Sequence, residues 1–211
     1  MKLFLSSESV SYEQGYAFAK LIGKPLSDTE VAYIDNAADV AAGNATWVND
    51  NRAKIEALGC RVIRVDLRDF KDSVRKISLT EALKPFDVIW IGGGNTYYLR
   101  WILYKTRADI IIPSLIKQGK IYGGGSAGAI VAGPTINYFQ AADDPSEADE
   151  VILDGLHLTE TVVIPHWHDE GYSQIMRVTE EKLKQSGYKT QHITNTQALV
   201  IDGDKQTIIP G

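Results

Sequence analysis

The residues best placed to do chemistry are Ser126 and His166. Ser126 stands in Ile121-Tyr122-Gly123-Gly124-Gly125-Ser126-Ala127-Gly128-Ala129-Ile130, a strand-like run that meets a glycine cluster and then a helix-forming stretch. Within it, Gly124-Gly125-Ser126-Ala127-Gly128 fits G-x-S-x-G, the nucleophile-elbow pattern. A sharp turn after a strand pushes the serine oxygen into the open, and only small neighbours tolerate that backbone with a substrate pressed against it. The helix that follows aims its first N–H groups where an oxyanion would develop. Gly123-x-Gly125-x-x-Gly128 also satisfies the dinucleotide fingerprint, with Asp143 or Asp144 as the acid expected further on. That acid should end a second strand, whereas Asp143 sits in a polar loop. A tight turn without chemistry is the third reading, and this motif alone leaves all three open.

A second cluster, Ile89-Trp90-Ile91-Gly92-Gly93-Gly94-Asn95-Thr96, repeats the order of strand, glycines and helix start. Such a loop exposes backbone N–H groups at the carboxyl end of a strand, where open α/β sheets hold their ligands. Beside an elbow serine it could supply a second oxyanion donor; alone it is a helix capped by Asn95 or Thr96. His166 follows at once on a strand end in Ile164-Pro165-His166-Trp167-His168, where a general base could meet a serine on a neighbouring strand. A histidine here can equally be a structural hydrogen-bonder. His166-x-His168 hints at a metal pair, but no Cys, Asp or Glu ligand motif accompanies it, so no metal or other cofactor is expected.

The elements that must position these residues are short β-branched runs alternating with longer helical patterns. Strands are expected at Leu3–Leu5, Val31–Ile34, Arg61–Val65, Val88–Ile91, Ile121–Tyr122 and Val162–Ile164. Helices are expected at Glu13–Ile22, Ala45–Leu58, Tyr97–Tyr104, Ile110–Lys117, Ala127–Ala132 and Ser173–Gln185. This alternation predicts an α/β fold with a mostly parallel sheet and helices on both faces. Ala198–Ile201 and Gln206–Ile209 flank Asp202-Gly203-Asp204 and read as a C-terminal β-hairpin. No repeat or linker interrupts the pattern, and the acidic stretch from Gln140 to Glu150 reads as a loop, so residues 1–211 form one expected domain.

The 211 residues suffice for a sizeable core, and 44% hydrophobic with 23% charged residues is ordinary globular composition. A net charge of −5 leaves no basic excess for phosphates, so no nucleic-acid partner is expected. The apolar run at Leu3–Leu5 is too short for a signal peptide, and no stretch approaches the roughly 20 residues of a membrane span. A cytoplasmic location without membrane contact is the expectation. Cys60, the only cysteine, lies in a strand-like run and reads as an inert buried thiol. Nothing in the pattern specifies an oligomeric state.

Taken together, Ile91-Gly92-Gly93-Gly94-Asn95-Thr96, Gly125-Ser126-Ala127-Gly128-Ala129 with Ala132-Gly133-Pro134-Thr135-Ile136 behind it, and Pro165-His166 resemble the peptidase E (aspartyl dipeptidase) family in order and spacing. The resemblance is close from Val88 to Arg177; cyanophycinases, other acyl hydrolases, share the serine elbow. It implies a three-layer doubly wound fold similar to class I glutamine amidotransferases, with serine in place of their cysteine. It implies Ser126 as nucleophile, His166 as base, and N–H groups of Ala127 and the Gly93–Gly94 region as oxyanion hole. Aligning the family's acidic loop on Pro145 implies Asp143 as the third member, with Asp144 and Glu147 of the same, slightly longer loop as the alternatives. The implied partner is a dipeptide or short peptide, with Asn95 among the binding residues. Aspartyl dipeptidases also carry an arginine-rich stretch after the histidine that reads the aspartyl carboxylate. Here Gln174 occupies the first arginine position and only Arg177 keeps a cation, which puts an N-terminal aspartate preference in doubt.

Overall fold

The computed structural model describes residues 1–41, 43, 45–70 and 77–211. A seven-stranded sheet is built from β1 (Lys2–Ser6), β2 (Glu30–Ile34), β3 (Arg61–Arg64), β4 (Val88–Ile91), β5 (Ile121–Gly125), β8 (Gln197–Asp202) and β9 (Lys205–Pro210), in the order β3-β2-β4-β5-β1-β8-β9. The first five strands of that order run parallel, and the C-terminal hairpin adds two antiparallel strands at one edge. A separate parallel pair joins β6 (Thr161–Ile164) to β7 (Lys189–His192).

Strand composition explains why the central sheet is covered on both faces. Along β1, Leu3 and Leu5 enter one hydrophobic cluster while Phe4 enters the other; along β4, Ile89 and Ile91 oppose Val88 and Trp90. Successive side chains point to opposite faces, so an uninterrupted apolar strand needs a layer on each side. One layer contains α4 (Thr96–Lys105), α5 (Ala108–Lys117) and α6 (Ala127–Val131), and the other contains α1 (Gly15–Ile22) and α2 (Thr46–Ala57). The architecture is the doubly wound α/β fold expected from the sequence. Cys60 is buried beneath this second layer, and desolvation pushes its thiol up to about 11.

Three elements depart from the sequence pattern. A short α3 (Leu79–Leu83) is nucleated by a reciprocal capping box between Ser78 and Glu81. Strand β7 reads Lys-Thr-Gln-His, too polar to announce itself, and forms by pairing with β6. Strand β5 continues past Tyr122 through the glycines, which pair with Phe4, Leu5 and Ser6 of β1. A side chain at Gly125 would sit 2.0 Å from the Glu8 carbonyl oxygen, so this close backbone approach accepts glycine alone.

The functional consequence lies in the registers. Ser6 pairs with Gly125 and Ile91 with Gly124, so β1, β4 and β5 end side by side. Ile164 pairs with His192, which brings the chain after β6 beside the chain after β7. Every candidate residue singled out above on a strand end therefore lies at the carboxyl ends of strands, where such sheets bind ligands.

Candidate active site

Ser126 occupies the turn between β5 and α6 with φ 49° and ψ −113°, a left-handed backbone rarely adopted by a residue with a side chain. Its N–H donates to the Ser6 carbonyl (3.0 Å), and its own carbonyl accepts from Ala129 (2.8 Å). The buried Tyr122 hydroxyl donates to the Gly128 carbonyl (2.6 Å), fastening the first turn of α6 to the strand before it. The serine side chain is thereby left half-buried at the lip of the sheet.

The imidazole of His166 meets it there. Ser126 Oγ lies 3.0 Å from His166 Nε2, and His166 Nδ1 lies 2.7 Å from Asn195 Oδ1. Asn195 Nδ2 in turn donates to Asp169 Oδ2 at 3.0 Å. This chain has one consistent polarity. An ionised carboxylate only accepts, so the nitrogen end of the Asn195 amide faces Asp169 and the oxygen end faces His166. Nδ1 must then carry the proton, leaving Nε2 as an acceptor for the Ser126 hydroxyl. That is the tautomer a general base needs.

Ser7, fully buried just past β1, ties the two loops together. Its hydroxyl accepts from the His166 N–H (3.1 Å) and faces the carbonyls of Thr194 (3.0 Å) and Ile193 (3.3 Å). His166 itself has φ 57°, and its ring lies 5.3 Å from that of Tyr172.

The Gly92–Asn95 turn supplies donors on the other side. The outer N–H groups, on Gly92 and Asn95, donate to Ile34 and Ala37, both at 2.8 Å. Among the described residues, no carbonyl accepts from Gly93, Gly94 or Ala127. A Cβ placed on Gly93 would fall 3.0 Å from that of Ser126, so the Gly93 backbone stands next to the serine, as that of Ala127 does by sequence. Asn95 accepts from Tyr97 and Tyr98 with its side-chain oxygen and donates to the Asp144 carbonyl, so it caps α4 and anchors the acidic loop.

Asp143 is not the group at His166 Nδ1. Its Oδ2 accepts from the Thr96 hydroxyl (2.5 Å) and N–H (3.1 Å) at the start of α4. Burial pushes its carboxyl above the usual range, against the pull of Thr96 and His166. The contact to His166 Nδ1 that the loop alignment implied for Asp143 is made instead by Asn195, because the chain leaving β7 reaches the imidazole directly. Asp144 is likewise engaged locally, accepting from Ser146, and Glu147 is exposed at the rim. Two more expected residues lie elsewhere. Gln174 lines a separate depression with Tyr138 and Lys182, and the Arg177 guanidinium sits over the Trp167 ring, 4.8 Å from its centroid. Trp167 stacks on His192 from β7 (4.1 Å), which holds α7 (Ser173–Gln185) with its arginine facing that stack. His168 is exposed, while both ring nitrogens of His166 are engaged, by Ser126 and Asn195. The dinucleotide reading fails on geometry: Gly123 and Gly125 are paired within β5 and form no open loop for a pyrophosphate.

Ser126 and His166 open onto a cleft of about 730 Å³. Its carboxylates come from Glu8, Asp50, Asp143, Asp144 and Glu147. Among the described lining residues the one cation is Lys54, and it is engaged by Glu8 at 2.8 Å.

A strained serine between strand and helix, a correctly tautomerised histidine at 3.0 Å and unspent amides beside them define the constellation of a serine hydrolase. Comparison with known proteins narrows that class. The model of peptidase family S51 matches residues 3–209, and the chain belongs to that family; it is a serine-type peptidase. It is 33% identical over 160 residues to an uncharacterized peptidase of Listeria monocytogenes, covering 74% of this chain and 75% of that one. It is 28% identical over 135 residues to a peptidase E of Shewanella amazonensis, covering 61% and 56%. A crystal structure of a Listeria monocytogenes protein described as a candidate peptidase E superposes with a TM-score of 0.81 at 28% identity, over 99% of this chain and 98% of that one.

Proposed function

We propose that this peptidase hydrolyses dipeptides or short peptides through an acyl-enzyme, with Ser126 as nucleophile and His166 as general base. The observation that carries the reading is the 3.0 Å contact between Ser126 Oγ and an acceptor nitrogen of His166 at the elbow. His166 takes the serine proton as Oγ attacks the peptide carbonyl, and the carbonyl oxygen becomes an oxyanion. The N–H groups of Gly93, Gly94 and Ala127 are the donors for that charge. The imidazolium then protonates the leaving amine, and water, deprotonated by the same imidazole, releases the acid. Asn195 serves as third member, holding Nδ1–H and hence the productive tautomer. A cleft of about 730 Å³ suits a short peptide rather than a folded chain.

The charge of the cleft supports a substrate preference as well. An aspartyl side chain bound among five carboxylates would need a free cation, and Lys54, the one cation among the described lining residues, is already paired. Low-dielectric walls lined by one sign of charge concentrate the opposite sign and repel their own. Peptides beginning with lysine or alanine are therefore expected to exceed the aspartyl analogue in kcat/KM, by about tenfold or more for lysine. Initial rates on Lys-Leu, Ala-Leu and Asp-Leu, at low and high salt, check this. The Lys-to-Asp ratio should shrink as salt screens the cleft. Highest kcat/KM on Asp-Leu would overturn the preference, and no turnover of any short peptide would overturn the function.

A further inference from the structure

We propose that Asp169 is a positioning residue for the reaction, acting on His166 through the side-chain amide of Asn195. The inference rests on the peptidase reading above. An asparagine at Nδ1 presents a problem that a carboxylate would not: its two ends have nearly the same shape and opposite hydrogen-bonding character. With the oxygen toward His166, Nδ1–H is accepted and Nε2 is free to take a proton. With the nitrogen toward His166, the amide favours the other tautomer, in which Nε2 carries the hydrogen and cannot act as base.

Packing does not choose between these orientations, because Asn195 is exposed. Among the described residues, the acceptor for its Nδ2 is Asp169 Oδ2 at 3.0 Å, and a carboxylate tolerates only the nitrogen end there. Asp169 is itself well fixed. Its Oδ1 accepts from the Gly171 N–H (3.0 Å), its N–H donates to the His166 carbonyl (3.1 Å), and its carbonyl accepts from Tyr172 (3.1 Å) and Ser173 (2.7 Å) at the start of α7. The reference point for the amide is therefore built into the same turn that carries the histidine. The donated N–H bonds hold the Asp169 carboxyl below the usual carboxylate range, so it stays charged through neutral pH. Its negative charge also lies one amide away from the imidazolium that forms during the reaction. The other groups facing that imidazolium are Asp143, from the loop before Pro145, and the Tyr172 ring.

A double-mutant cycle tests the role, read as the second-order rate of Ser126 labelling by a fluorophosphonate and as kcat and KM on Ala-Leu. Asp169→Ala is expected to slow labelling and lower kcat by about 10- to 100-fold with KM little changed. Asp169→Asn should fall between, since its amide oxygen can still accept from Asn195 but brings no charge. In an Asn195→Ala background there is no amide to orient, so Asp169→Ala should cost less than about threefold. In an Asn195→Asp background the carboxylate has no wrong end, and removing Asp169 should be neutral or beneficial because it relieves a like-charge contact. Thermal unfolding confirms that each variant is folded. An equal loss on removing Asp169 in all three backgrounds would overturn the proposal and leave Asp169 a brace for the start of α7. Absence of labelling in the unmodified protein would instead overturn the peptidase reading on which it stands.

Discussion

Ser126→Ala is expected to reduce kcat/KM on the best peptide by about four orders of magnitude or more, with the melting temperature nearly unchanged. The rate loss is large because no other described group at the elbow can form the acyl bond. Residual turnover comes only from the amides that polarise the carbonyl. Stability should survive because the hydroxyl has one partner among the described residues, His166, and its removal leaves a void at the edge of an open cleft. Alanine also inherits the backbone of a residue already at positive φ, so no new strain is added. Kinetics on the panel above and a thermal melt check both halves. Retention of a tenth of the activity would remove Ser126 from the role.

His166→Ala is expected to be comparably severe, and the double variant with Ser126→Ala no worse than either single one. Nucleophile and base act as a unit, so once one is gone the other contributes little. His168→Ala, two residues along and exposed, should change kcat/KM by less than about twofold. The contrast separates a specific base from a generally basic loop. Equal effects at 166 and 168, or strict additivity of the two severe variants, would contradict the assignment. Asp143→Asn belongs with the milder changes, because Thr96 rather than His166 holds that carboxylate.

What could be read in the sequence and what could not divide along physical lines. Ser126 and the strands around it were legible because an elbow demands small residues at fixed offsets, and apolar strands buried on both faces leave continuous runs. His166 was legible from its place directly after Ile164-Pro165. Asn195 was not: Thr194-Asn195-Thr196 follows a polar strand whose pairing with β6 is a long-range event, and an asparagine after a strand reads as turn chemistry. Asp169, three residues beyond His166, gives a signal only if the chain turns so that its N–H reaches the His166 carbonyl, as it does. Ser7 was hidden for the same reason, since its partners lie at the far end of the chain. The alignment that drew attention to Asp143 captured a real neighbour of the site but the wrong hydrogen bond. Gln174 and Arg177 lie on α7 as the helical pattern predicts, while the seat of the Arg177 guanidinium over Trp167 depends on how Trp167 stacks on His192.

The most direct test of the central claim is covalent. The folded protein is treated with a fluorophosphonate, digested, and the modified peptide sequenced by mass spectrometry. Stoichiometric modification of Ser126, absent from Ser126→Ala and slowed by orders of magnitude in His166→Ala, is the predicted result. Peptide turnover that continues while Ser126 remains unmodified, or labelling that settles on another serine with loss of activity, would contradict it.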